Sequence, residues 1–228
     1  MNGFINLSRE KSKGLDLMVL NNSKKLYKEA LLLSNNNSYS TASSLLILSL
    51  EECIKAFYIL LHIQGIDVYK SKVAKKIFTN HSVRHDVAKS IEMVIGIIEI
   101  INNYSTPEAE LNSSNAKRIL KIIKGFLRSS LIIIDMSIRI EKIGNFNKIK
   151  NNGFYVDYSD QLIIPNEHVG QKEFYSLLEI YLRMNKSYRF FKLISNQNFL
   201  EKFVRGNSEE LKMKIIRTVN QYINSKLS

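Results

Sequence analysis

The chain has 228 residues, 45% apolar and 24% charged, which are the proportions of an ordinary soluble protein with room for one real core. Two prolines and nine glycines are too few for a sheet-and-turn architecture, and the single cysteine, Cys53, excludes an internal disulfide and any multi-cysteine metal site. A net charge of +12 suits polyanions such as RNA, DNA or an acidic protein, although lysine-rich coding from an AT-rich genome gives the same sum on an inert surface.

In chain order, MNGFINLSREKSKGLDL lacks an apolar run of leader length, which with the lone cysteine predicts a reducing, cytoplasmic setting. Leu15, Met18, Leu26, Ala30 and Leu33 recur at helical intervals and predict a first amphipathic helix over 14–33. SNNNS is a loop. From Thr41 to about Gln64 a second helix is apolar nearly all round, the pattern of a rod at the centre of a bundle, and Gly65 stops it. A basic stretch with Lys75, Lys76, His81 and His85 leads into a third helix over 86–101. Glu92 and Glu99 interrupt IEMVIGIIEII, so no run predicts a membrane span.

A polar loop precedes a long helix over 116–143, with Ser114 or Asn115 as candidate cap. GNFNKIKNNGFYVDYSDQLIIPNEHV then breaks the helical pattern. FYVDYS and QLIIP are short, aromatic and β-branched, which predicts a hairpin near 153–165. Helices over 170–195 and 208–225, joined by a short piece at 199–204, close the chain. The fold class is therefore all-α, a helical bundle with one short β insertion. No linker divides it, so 1–228 reads as one domain with 196–228 a helical extension packed on it.

The central rod holds Glu51, Glu52 and Lys55 among Leu48, Leu50, Ile54, Ala56 and Phe57. Either glutamate can meet Lys55, at i,i+4 or i,i+3. At least one carboxylate is then partly buried, and a buried carboxylate without partners costs several kcal/mol or takes up a proton. His81, Arg84 and His85 in NHSVRHD are the best suppliers of counter-charge. The cluster is either a polar network that fixes helix register or a site for acid–base chemistry. His81 and His85, four apart, would need a carboxylate to hold a metal, and Arg84 between them repels a cation, so no metal or other cofactor is expected. Cys53 reads as a small core residue. Tyr155 and Asp157 share one face of a strand, either packed on the bundle or in contact with a base or partner.

These residues resemble the AbiV family of abortive-infection proteins. The small-residue run YSTASS leads into Leu50, Glu51, Glu52, Lys55 and Ala56, which fill a Leu-Glu-Glu-x-x-Lys-Ala core, with Ile54 where glycine is usual. NHSVRH is similar to the family's His-x-x-Lys segment, with His81 in place and Arg84 at the lysine position. Gly153, Phe154, Tyr155, Val156, Asp157 and Pro165 follow a Gly-Leu-Tyr-Val-Asp element and its proline. Together the three motifs span roughly residues 15 to 195.

The resemblance implies a HEPN-like helical bundle, a cytoplasmic bacterial anti-phage role and a homodimer. HEPN ribonucleases use an Arg-x(4–6)-His motif, and no histidine of this chain follows an arginine at that spacing; Lys55 before His62 and Lys76 before His81 come nearest. Either Glu51, Glu52, Lys55, His81 and Arg84 make another arrangement, or catalysis is absent. In the first case His81 is the acid–base group, Arg84 and Lys55 hold phosphate, and the glutamates orient them. Lys75, Lys76, His85, Tyr155 and Asp157 would contact RNA or a partner. The expected partners are RNA or the translation machinery, a second copy, and a phage-encoded protein as activator. The alternative is a non-catalytic module that binds RNA, ribosomes or a phage protein.

Overall fold

The protein, described by a computed structural model, is covered over residues 3–71, 74–104, 115–158 and 162–196 and at 209, 210, 213, 216, 217, 220 and 221; the side chains of 75, 103, 104, 115–123 and 194 are outside that description. In order, the helices are α1 (Arg9–Ser12), α2 (Leu15–Asn35), α3 (Tyr39–Ile63), α4 (Ala74–Ile77), α5 (His81–Tyr104), α6 (Asn115–Gly144) and α7 (Phe146–Phe154), then strands β1 (Asp157–Tyr158) and β2 (Leu162–Ile163), and helices α8 (Pro165–His168) and α9 (Gln171–Ile194). The architecture is all-α with one small antiparallel hairpin, as the sequence predicts. In the hairpin Asp157 pairs with Ile163 and Tyr158 with Leu162. Among the described residues no helix is long and apolar enough to cross a membrane.

The chain divides into two compact units, residues 1–85 with 146–228, and residues 86–145. In the first, α3 is the central rod, packed by α2, α7 and α9. Leu46, Ile47, Leu50, Cys53, Ile54, Ile59 and Leu60 are buried on it, which is why its sequence is apolar on nearly every side. Against α2 the contact is made close by small residues. Ala30 and Ala42 are fully buried, and Ser23 and Ser49 exchange bonds, each hydroxyl donating to the other's carbonyl at 2.7 Å. From α9, Phe174, Leu177, Tyr181, Met184 and Tyr188 are buried at helical spacing. Asp16 on α2, also buried, accepts from Tyr188 at 2.7 Å and from Lys192 at 3.1 Å.

Gly65 ends α3 as predicted. Its φ of 93° is the left-handed conformation that glycine adopts without strain, and it lets Gly65 N–H reach His62 O while Ile66 N–H reaches Leu61 O. Arg9 and Asn220 both donate to the Gly65 carbonyl, at 3.0 Å each. The described positions from 209 to 221 are helical. The predicted piece at 199–204 and residue 114, a candidate cap, lie outside the described residues.

Two of the longer elements differ from the sequence reading, and the short helices α1, α4 and α8 have no counterpart in it. Helix α5 begins at His81, five residues before the apolar stripe, because the Asn80 side chain accepts from Val83 N–H and caps it. Residues 146–154 are helical although FNKIKNNGF is rich in asparagine. Phe146 and Gly153 form the buried side of that helix, and tertiary packing on α3 outweighs local propensity.

The second unit is the remainder of α5 with α6. Gly96 lies against Met136, and the buried Glu92 carboxylate accepts from Arg139 Nε at 2.6 Å.

Candidate functional site

The structure separates the two adjacent glutamates. Glu51 points inward from α3 and is 1% exposed. Asn80 sets the start of α5, so His81, Arg84 and His85 fall at i, i+3 and i+4 and share one helix face. All three meet Glu51. His81 Nδ1 and Arg84 Nη1 both donate to Oε2, and His85 Nε2 donates to Oε1 at 3.1 Å. The fourth partner is Lys150, on α7, whose ammonium donates to Oε1 at 3.2 Å.

Lys150 is brought there by backbone contact. The Ser44 hydroxyl donates to the Lys150 carbonyl at 2.9 Å, and Gly153, one turn on, lies against Ser40 and Ser44 with no room for a side chain. The small residues of α3 therefore admit α7 close enough for its lysine to reach the carboxylate. Nothing in the sequence pattern alone marked Lys150. The usable signal was the Phe146, Ile149, Gly153 spacing, which gives α7 an inward face beside it.

Burial raises the Glu51 pKa, but the His85 hydrogen bond, the Lys150 charge and the His81 bond and charge lower it by more, and it is pushed down to about 2. An ionised carboxylate only accepts hydrogen bonds, so the His81 nitrogen that faces it, Nδ1, carries a proton, and in the neutral form of the ring the lone pair is on Nε2. The His81 side chain is 48% exposed, and no described residue bonds Nε2. This is the geometry of a proton acceptor oriented and charge-balanced by a carboxylate beneath it.

The cations around it differ in what they can offer. Arg84 is buried and engaged at all three nitrogens, with Nε donating to Ile77 O at 2.9 Å, Nη2 to Phe78 O at 3.2 Å and Nη1 to Glu51. His85 is buried edge-on to Phe146, so it serves Glu51 and presents no surface. The Lys150 side chain is 11% exposed, with Nζ 3.2 Å from His81 Nδ1.

Glu52 and Lys55 are not gathered into this cluster. They pair with each other at 2.5 Å, partly exposed, on the adjoining side of α3. Lys76 is exposed on α4, and the side chain of Lys75 lies outside the described residues. Tyr155 and Asp157 are exposed, as are Val156, Tyr158 and Leu162 of the same hairpin. Cys53 is buried, and burial pushes its thiol up to about 12, against a smaller lowering by Lys24. Among the described residues no group of three His, Cys, Asp or Glu is placed to hold a metal ion.

A protein-family model described as AbiV matches residues 13–185 of the chain. No curated protein and no solved structure gives a significant match.

Proposed function

Because the chain belongs to the AbiV family of HEPN-type abortive-infection proteins, we propose that it halts phage growth by acting on RNA or on the translation machinery, with His81 as the reacting group. One observation carries the reading: a half-exposed imidazole backed by a buried carboxylate that stays ionised.

In the chemical form of the proposal, the RNA 2′-hydroxyl is the nucleophile. His81 Nε2 takes its proton, and Glu51 balances the imidazolium that forms. The 2′-oxygen attacks the adjacent phosphorus, the bond to the 5′-oxygen breaks, and that oxygen takes a proton from solvent. Lys150 supports the added charge on phosphorus, while the engaged Arg84 acts through its field. Glu52 with Lys55 flanks the site, and Lys75, Lys76, Tyr155 and Asp157 extend it along the RNA. The acting form is a cytoplasmic bacterial homodimer of one domain per chain, with residues 196–228 as its extension, switched on by a phage-encoded protein.

The test is purified protein mixed with total RNA, with and without phage-infected extract. The wild type cleaves, and His81→Ala cleaves about a hundredfold or more slowly, the usual contribution of a general acid–base group. No cleavage by the wild type in either mixture overturns the chemical form.

A second reading, a non-catalytic module for RNA, ribosomes or a phage protein, is favoured by the buried Arg84, engaged within the protein at all three nitrogens, and by the apolar surface of the hairpin. It predicts that His81→Ala keeps phage protection while Tyr158→Ser with Leu162→Ser loses it.

A further inference from the structure

Helix α6 is apolar on two sides. One side meets α5 at Met136 and Arg139. The other carries Leu127, Leu131, Ile134 and Ile138, exposed by 57, 62, 55 and 55%. Their spacing of four, three and four places them in one stripe, the seam by which one helix pairs along another. Charge ends the stripe at both limits, with Lys124 three residues before Leu127 and Glu141 three after Ile138. Arg128 and Asp135 line one edge, and Ser130 and Ser137 line the other. All four charged residues are exposed.

We propose that this seam is the surface on which a second copy of the chain docks, α6 against α6, antiparallel. The charges select both occupant and direction. About a two-fold axis between Ile132 and Ile133, Leu131 of one copy meets Ile134 of the other and Leu127 meets Ile138. Lys124 then faces Glu141, and Arg128 falls beside Asp135, each contact occurring twice. A parallel, in-register pairing of the same stripe stacks Lys124 on Lys124 and Glu141 on Glu141, and it carries Arg128 and Asp135 of the two copies to opposite outer edges, where they cannot pair. The sequence thus attracts itself in one direction and repels itself in the other. A nucleic acid finds no phosphate contact along four aliphatic side chains. The inference rests on the two-copy element of the function proposed above, to which it gives a surface, and it is independent of the RNA chemistry.

Light scattering on the full chain tests it. The wild type is a dimer. Leu131→Glu with Ile134→Glu raises the dissociation constant about a hundredfold or more, because the seam would bury unpaired carboxylates. Both positions are exposed in the single chain, so the circular dichroism of the folded variant stays near wild type, and its melting temperature loses the dependence on protein concentration that the dimer has. Disulfide trapping reads the direction. A mixture of Leu131→Cys and Ile134→Cys chains cross-links faster than either alone, since only facing Cβ atoms reach bonding distance; the buried Cys53 adds no cross-link. A monomeric wild type overturns both the seam and the two-copy reading. A wild-type dimer indifferent to the glutamates, or Leu131→Cys chains linking fastest to themselves, overturns the seam and leaves the two-copy reading standing.

Discussion

Gly153 and Ser40 meet backbone to backbone: a Cβ on Gly153 would stand 2.5 Å from the Ser40 carbonyl oxygen. A carbonyl inside a helix cannot swing aside as a side chain can, so Gly153→Ala must push α7 off α3. The expected cost is about 1–3 kcal/mol, as for other overpacked contacts. A denaturant melt checks it, and wild-type stability in the variant would show that the two helices do not touch. Ser44→Ala, which removes only the hydroxyl donated to Lys150 O, should cost less, about 1 kcal/mol.

Glu51 and Glu52 are adjacent in sequence and should behave as unlike residues. Glu51→Gln leaves Arg84 and Lys150 around a neutral amide, and breaking a buried ion cluster in this way costs about 3–5 kcal/mol. Glu52→Gln loses a partly exposed pair with Lys55, worth under about 1 kcal/mol. Chemical denaturation of the two variants side by side makes the comparison. Equal losses would contradict the placement of Glu51 alone inside.

Acid should expose the same carboxylate. Burial works against its ionisation, but the His85 bond and the charges of Lys150 and His81 prevail, and the Glu51 pKa falls from 4.5 to about 2 on folding. Between those values the unfolded chain binds the proton that the native chain refuses, so stability falls as pH drops through the interval. The contribution is on the order of 3 kcal/mol, complete above pH 4.5 and lost near pH 2. Glu51→Gln should flatten this acid limb, read as midpoint denaturant concentration against pH.

Cys53 should ignore alkylating reagents in the native protein. Burial, only partly offset by Lys24, pushes its thiol to about 12, so almost no thiolate forms at neutral pH. Intact mass after iodoacetamide should show no adduct until denaturant is added. Rapid native labelling would place the residue near the surface.

The buried charge on the central rod was legible in the sequence because Leu48, Leu50 and Ile54 crowd it, and NHSVRHD stood out as the nearest source of cations. Which glutamate turned inward was not legible: Glu51 and Glu52 lie about 100° apart on a helix, and an apolar rod gives no outer face to phase them against. Lys55 followed Glu52 for the same reason. Lys150 escaped because α7 owes its helicity to packing on Ser40 and Ser44, residues more than a hundred positions earlier. The early start of α5 depended on a single side-chain bond from Asn80, which an apolar-stripe reading does not detect.

The reciprocal hydroxyl–carbonyl exchange between Ser23 and Ser49 acts as a vernier for the rod. Aliphatic surfaces tolerate a helix sliding by a fraction of a turn, whereas two directed bonds at one level do not. Ser49 precedes Glu51 by two residues, so that lock sets the height at which the carboxylate stands below the imidazole. Two of the smallest polar side chains in the interface thereby gauge a distance that neither of them touches.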